Sequence, residues 1–78
     1  MWESNNNKLC RTFEFSDFKE AFAFMTHIAF IAEEQNHHPN WSNVYNKVTI
    51  ELTTHDANNT ITDKDHKLAK SIDSILKK

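Results

Sequence analysis

Lys47-Val-Thr-Ile-Glu-Leu-Thr-Thr54 is the stretch that decides the fold. Val48, Ile50 and Leu52 alternate with Lys47, Thr49, Glu51 and Thr53, the period-2 pattern of a strand with one buried and one wet face. Upstream, Trp41–Val44 reads as a short strand and Tyr45-Asn46 as a turn, so the two strands form a hairpin. Downstream, residues 55–61 form a polar loop. Thr62 with Asp65 three residues on then resembles a capping box, with Asp where Glu or Gln is usual. Leu68, Ala69, Ile72, Ile75 and Leu76 line one face of a terminal helix, and Lys77 and Lys78 sit where the helix dipole favours cations.

The N-terminal half repeats this order. Residues 8–15 alternate: Leu9, Phe13 and Phe15 point one way with Arg11 between them, while Cys10, Thr12 and Glu14 point the other. Asn5-Asn6-Asn7 forms a turn that pairs this strand with a short one over Trp2–Ser4. Ser16 and Asp17 can cap a helix, in which Phe18, Ala21, Phe22, Met25, Ile28, Ala29 and Ala32 make a wide apolar stripe, broadened on one flank by Phe24 and Ile31. That is more apolar surface than one sheet face needs, and the surplus points to a second contact with another subunit. The helix ends near Gln35 or Asn36, because Pro39 disfavours helical geometry at His38. Strand or hairpin, helix, hairpin, helix gives an α+β two-layer sandwich, with antiparallel strands and the helices on one face.

The chain has 78 residues and reads as a single domain over 1–78. A domain this small buries only about 60% of its unfolded surface, so association with copies of itself would help. A net charge of −2 and no basic run argue against nucleic-acid binding, which needs clustered Lys and Arg. No apolar run approaches the ~20 residues that span a bilayer, and the start lacks a signal-peptide pattern. A cytoplasmic protein is expected. The single Cys10 excludes an internal disulfide framework. With no Gly in the chain, turns that need positive φ fall to Asn or Asp.

Five His are present. His27 and His66 sit on the outer surfaces of helices. His37, His38 and His55 lie in loops that flank the second β region, and they converge at one edge of the sheet if the long strand packs beside the helix end. Imidazoles can take and give protons near neutral pH. Spacing alone leaves three readings open: solvated loop histidines, a proton-transfer group, or a three-His zinc site. The metal reading is the weakest, since adjacent His37-His38 rarely direct both rings to one ion. Glu33, four residues before His37, and Asp56, beside His55, are supporting carboxylates that can hold an imidazole in one tautomer. Trp41 and Tyr45 bring flat aromatic surface nearby, for a planar ligand or for core packing.

The run Glu33-Glu-Gln-Asn-His37-His38-Pro39-Asn-Trp41-Ser-Asn-Val44-Tyr45-Asn-Lys-Val48, continued by Thr49-Ile50-Glu-Leu52-Thr-Thr54-His55-Asp56, resembles the signature of the pterin-4a-carbinolamine dehydratase family. Phe18-Lys-Glu-Ala21-Phe-Ala-Phe24-Met25 is similar to that family's first core helix, and Thr62-x-x-Asp65-x-x-Leu68-Ala69 to the start of its last. The resemblance implies a four-stranded antiparallel sheet with helices on one face, and a homodimer or homotetramer. It places His37, His38 and His55 in the catalytic pocket, with Glu33 as the acidic residue before them and Trp2 near a pterin substrate. The family's further helix ahead of that Trp is absent from this sequence, which leaves open what covers the sheet and which assembly forms.

The implied reaction is a hydro-lyase step in tetrahydrobiopterin recycling: loss of water from a 4a-hydroxytetrahydropterin. One group takes the N5 proton and another protonates the departing hydroxyl, which is general acid–base chemistry worth about 10²–10⁴-fold. By resemblance His37 and His55 are the pair and His38 orients the ligand. Groups around Thr53 and Thr54 are expected to bind the amide-like ring edge. No cofactor and no metal are needed. An aromatic amino acid hydroxylase is a possible functional partner. The alternative is a non-enzymatic protein-binding or dimerisation module of the transcription-coactivator kind, using the surplus helix face around Phe24 and Ile31.

Overall fold

The computed structural model describes residues 1–76, so the expectation for Lys77 and Lys78 lies outside the described residues. Strand β1 (Glu3–Asn5) and strand β2 (Lys8–Glu14) are followed by helix α1 (Phe18–Gln35). Strands β3 (Asn40–Val44) and β4 (Lys47–Leu52) come next, then helix α2 (Asp63–Ile75). All strand pairs are antiparallel, in the order β1-β2-β4-β3. This is the four-stranded α+β arrangement expected.

The register explains the core. β2 and β4 pair centrally, with Leu9 opposite Leu52, Arg11 opposite Ile50 and Phe13 opposite Val48. One face of the pair is therefore almost wholly apolar, and it meets Ala21, Phe24 and Ile28 of α1 and Leu68, Ala69 and Ile72 of α2 in a single cluster. Ile28, Ile50, Leu68 and Ile72 are fully enclosed, each contributing about 1.5–3 kcal/mol of transfer free energy. The opposite sheet face carries polar groups such as the Thr12–Thr49 hydroxyl pair at 3.2 Å and the Lys8–Glu51 ion pair at 3.5 Å.

Two helix phases differ from expectation. In α1 the buried set is Ala21, Phe24, Ile28 and Ala32, and Ile31 packs against the core. Phe24 and Ile31 are thus not the surplus face. That role falls to Phe18, Phe22 and Phe30, 48%, 52% and 71% exposed. The helix has apolar residues almost all round, so its pattern does not fix which stripe turns inward. Packing does: Phe24 sits 4.9 Å from the rings of both Phe13 and Phe15. In α2, Leu76 follows the last helical turn and is exposed.

Positive φ falls where Gly would be usual: Asn6 and Asn7 in the first hairpin, Asn36 after α1, and Asn58 and Asn59 in the last loop. Tyr45, in the second hairpin, also sits at φ 51°, a costly position for a bulky side chain. Asp17 caps α1 by accepting from the Glu20 amide at 2.9 Å. Thr62 and Asp65 form the full capping box of α2.

The N-terminus is tied to the far helix. Asp73 Oδ1, on α2, accepts from Trp2 Nε1 and from the Arg11 guanidinium, both at 2.9 Å. Trp2 meets Phe13 edge-on at 5.8 Å, and the Arg11 guanidinium covers the same ring at 4.4 Å. Asp73→Ala should cost about 1.5–3 kcal/mol, as for hydrogen bonds to a charged group. Hydrogen exchange should locate the loss, with β1 amides losing protection before those of β2 and β4.

Candidate active site

Three chain ends meet at one side of the sheet: the C-terminus of α1, the C-terminus of β4 and the N-terminus of α2. Asn36, in the left-handed conformation, ends α1 and turns the chain sharply. The His37 amide then donates back to Ala32 O at 3.0 Å, which brings its side chain inward. β4 runs out of pairing at Leu52, Thr54 bridges to Thr60, and a single 3-10 turn over His55–Ala57 reverses the chain. The result is an open cleft of about 300 Å³ lined by Asn36, His37, His38, Thr53, Thr54, His55, Asp56 and Lys64. The three loop histidines therefore do converge.

Their environments differ. His37 is 9% exposed and its Nε2 lies 2.6 Å from Asp65 Oδ1. Asp65 is fully enclosed. Its Oδ2 accepts from the Thr54 hydroxyl at 2.7 Å and the Thr62 amide at 2.9 Å. Burial pushes the Asp65 carboxyl up, but the hydrogen bonds from His37, the Thr62 amide and Thr54, with the nearby His37 charge, outweigh it and hold the group below its ordinary 3.8. An ionised carboxylate only accepts, so His37 Nε2 carries a proton whether the ring is charged or neutral, and in the neutral ring Nδ1 is the basic nitrogen.

The other two rings are exposed and similarly anchored. His38 Nε2 donates to Glu33 Oε1 at 2.9 Å, and His55 Nδ1 donates to Asn59 Oδ1 at 3.1 Å. Each of the three imidazoles thus has one nitrogen on an acceptor and one with no protein partner among the described residues. Such a set can accept and return protons on a bound ligand.

The remaining expected site residues divide. Glu33 serves His38. Asp56 lines the cleft beside His55. Thr53 lines it too, with its hydroxyl donating to Asn7 O at 3.1 Å. Thr54 lines it, but its hydroxyl is directed at Asp65. Trp2 and Trp41 are not among the lining residues: Trp2 is bound to Asp73, and Trp41, opposite Ile50 on edge strand β3, packs against the core. His27 and His66 are exposed. Among the described residues no three His, Cys, Asp or Glu side chains are grouped to hold a metal ion, and no helix is long and apolar enough to cross a membrane.

Asp65 and Lys64 were not among the residues expected in the site. Asp65 looks like a helix cap and is one, yet it also falls in phase with Leu68, Ala69 and Ile72, the buried stripe of α2. A carboxylate on that stripe is the signal that finds it. A larger apolar hollow of about 660 Å³, lined by Phe18, Phe22, Ala23 and Tyr45 with Asp17 and Lys19, contains no imidazole and no buried acid, and proton chemistry has no footing there.

The model of the pterin 4 alpha carbinolamine dehydratase family matches residues 1–75, and the chain belongs to that family. A protein of Synechococcus sp. (strain WH7803), named "Putative pterin-4-alpha-carbinolamine dehydratase", is 55% identical over 74 residues, 95% of this chain and 78% of that one. A protein of Prochlorococcus marinus (strain MIT 9515) with the same name is 56% identical over 77 residues, 99% of this chain and 79% of that one. The crystal structure of a transcriptional coactivator/pterin dehydratase from Brucella melitensis superposes with a TM-score of 0.89 at 39% identity, covering 95% of this chain and 80% of that chain. A pterin dehydratase-like RuBisCO assembly factor of the alpha-carboxysome shares the fold, with a TM-score of 0.79 at 20% identity, covering 99% of this chain and 88% of that chain. The family and the names of the two bacterial sequence relatives support a dehydratase with a pterin substrate.

Ionised Asp65 contributes stability that is present above its ordinary pKa of 3.8 and is lost as the pH falls through the lower folded value. Urea unfolding of the wild type and Asp65→Asn should therefore converge in midpoint as the pH drops from neutral into that acid range. Parallel curves would contradict the ionised, hydrogen-bonded carboxylate.

Proposed function

We propose that the chain dehydrates a 4a-hydroxytetrahydropterin to the quinonoid dihydropterin, with His37 and His55 as the acid–base pair. The observation that carries the reading is the convergence of His37, His38 and His55 on one cleft, with His37 held by a buried carboxylate in one tautomer. The base removes the proton from N5 of the ring. The electron pair left on N5 forms the N5–C4a double bond as the C4a–O bond breaks. The acid gives its proton to the departing hydroxyl, and water leaves. Base and acid then return to their starting protonation by exchange with solvent.

His37 suits the base, because its free Nδ1 meets no competing donor among the described residues and its Nε2–H is stabilised against Asp65 when the ring becomes positive. His55, exposed and donating from Nδ1 to Asn59, suits the acid in its imidazolium form, whose Nε2–H is the proton given. His38, braced by Glu33, orients the ring, and Asp56 and the Thr53 segment offer partners for its amide-like edge. On this reading the enzyme works in the cytoplasm, downstream of a hydroxylase that leaves the 4a-hydroxyl, and hands the quinonoid dihydropterin to a separate two-electron reduction that restores tetrahydropterin; it works as a homodimer or homotetramer. Trp2 and Trp41 would reach a pterin only by adding to the cleft from elsewhere in such an assembly.

A protein-binding role is the second reading. It is favoured by Phe18, Phe22 and Phe30 on α1, exposed among the described residues, and by the coactivator and assembly-factor descriptions carried by structural relatives. Turnover separates the two. His37→Ala and His55→Ala should each lower the dehydration rate of a 4a-hydroxytetrahydropterin at least ~10-fold with circular dichroism unchanged. Full activity in both variants would remove the acid–base assignment, and no turnover by the wild type would favour the binding role.

A further inference from the structure

We propose that Thr54 is a positioning residue of the cleft: its hydroxyl fixes the Asp65 carboxylate so that Oδ1 holds His37 Nε2, and in doing so sets the separation of His37 from His55. The inference rests on the reading of His37 as the base, and it gives Thr54 a role other than ligand contact.

The hydrogen count dictates the direction of the network. A Thr hydroxyl has one proton. Asp65, being ionised, can only accept, so the Thr54 proton points at Oδ2 over 2.7 Å. Thr62 Oγ1, 2.5 Å from Thr54 Oγ1, must then donate to it, while itself accepting from the Lys64 amide at 3.3 Å. The chain runs one way, from the Lys64 amide through Thr62 and Thr54 to Asp65, and on the other carboxylate oxygen to His37. Donors aligned in this manner polarise one another in an enclosed site.

Thr54 is also held from behind. Its amide donates to Thr60 O at 2.9 Å, and its carbonyl accepts from the Ala57 amide at 3.1 Å. The residue is 6% exposed. Its hydroxyl proton, amide and carbonyl are all engaged within the protein, which leaves little for a ligand. Of the two groups that donate to Oδ2, the Thr62 amide belongs to Asp65's own capping box. Thr54 alone comes from the segment that leaves β4, two residues past its end. Removing it frees the carboxylate to rotate about its own helix turn and cuts the link between β4 and α2. Because His55 is the next residue in the chain, the same link places one imidazole relative to the other.

The test compares wild type, Thr54→Val and Thr54→Ser. Valine keeps the branched shape without the hydroxyl, and serine restores the hydroxyl. The His37 tautomer is read by ¹⁵N NMR of histidine-labelled protein, and kcat and KM are read with a 4a-hydroxytetrahydropterin. The expected result is Nε2–H in wild type and Thr54→Ser, and a mixture of tautomers in Thr54→Val. In the valine variant kcat should fall ~10-fold or more, the usual loss on removing a partner of this kind, with KM within about twofold. Thr54→Ser should recover most of kcat. A raised KM at unchanged kcat would make Thr54 a ligand contact. An unaltered tautomer and kcat in a folded Thr54→Val would make it merely structural. Either result overturns the proposal. If the valine variant does not fold, Thr54→Ala gives the same two readings. The tautomer comparison needs no turnover, so an inactive wild type would remove the dehydratase reading while the NMR still decides the role of Thr54.

Discussion

Asp65 is enclosed and charged, a combination that costs several kcal/mol unless the charge is met by donors. Here it is met from three sides: the end of α1 supplies His37, the end of β4 supplies Thr54, and its own helix start supplies the Thr62 amide. The Thr54 and Thr62 hydroxyls also join two of these segments, but the carboxylate joins all three. The sheet and helices pack through their apolar faces, which sets the layers but leaves the ends free to splay. The carboxylate gathers those ends, and the cleft is the space left between them. The same group that makes the cleft also biases its chemistry, because it decides which nitrogen of His37 carries the proton.

α2 works as a staple with a carboxylate at each end. Asp65 in its first turn holds the cleft, and Asp73 near its last turn holds Trp2 and Arg11. Between them Leu68, Ala69 and Ile72 supply the apolar contact with α1 and the sheet. The short edge strand β1 has only β2 as a neighbour, and three residues of pairing give little cohesion by themselves. The indole and guanidinium bonds to Asp73 anchor it to the helix layer. An aromatic residue that by resemblance belonged beside the ligand thus has, within one chain, a fastening role.

The architecture was legible because its signals are local. Alternation over residues 47–54 and 8–15, Asp17 and Thr62 as caps, and Pro39 after His38 each act within a few residues, and every element they indicate is present. Phase was harder. α1 has Phe on most of its circumference, so Phe22 and Phe24 could exchange roles until the sheet selected Phe24. The site was half legible. His37, His38 and His55 stand out by residue type and by flanking one strand. The hydrogen bond from His37 to Asp65 spans 28 positions, and Asp65 already had a sufficient local explanation as a cap. The partner of Glu33 was equally undecided, since α1 ends between Glu33 and His37, and the left-handed Asn36 turns His38, not His37, back toward it.

The absence of Gly bears on the denatured chain as much as on the fold. Glycine roams over twice the backbone space of other residues, and each one replaced where the native angles permit it typically raises stability by ~0.4–1 kcal/mol through the unfolded ensemble. This chain reverses direction on Asn6, Asn7, Asn36, Asn58 and Asn59 instead, residues that tolerate the left-handed region at small expense. Before folding, its random coil is already narrower than that of a glycine-containing sequence of equal length. For a domain with so modest an apolar interior, a less disordered starting state is a source of cohesion that no contact in the native structure reveals.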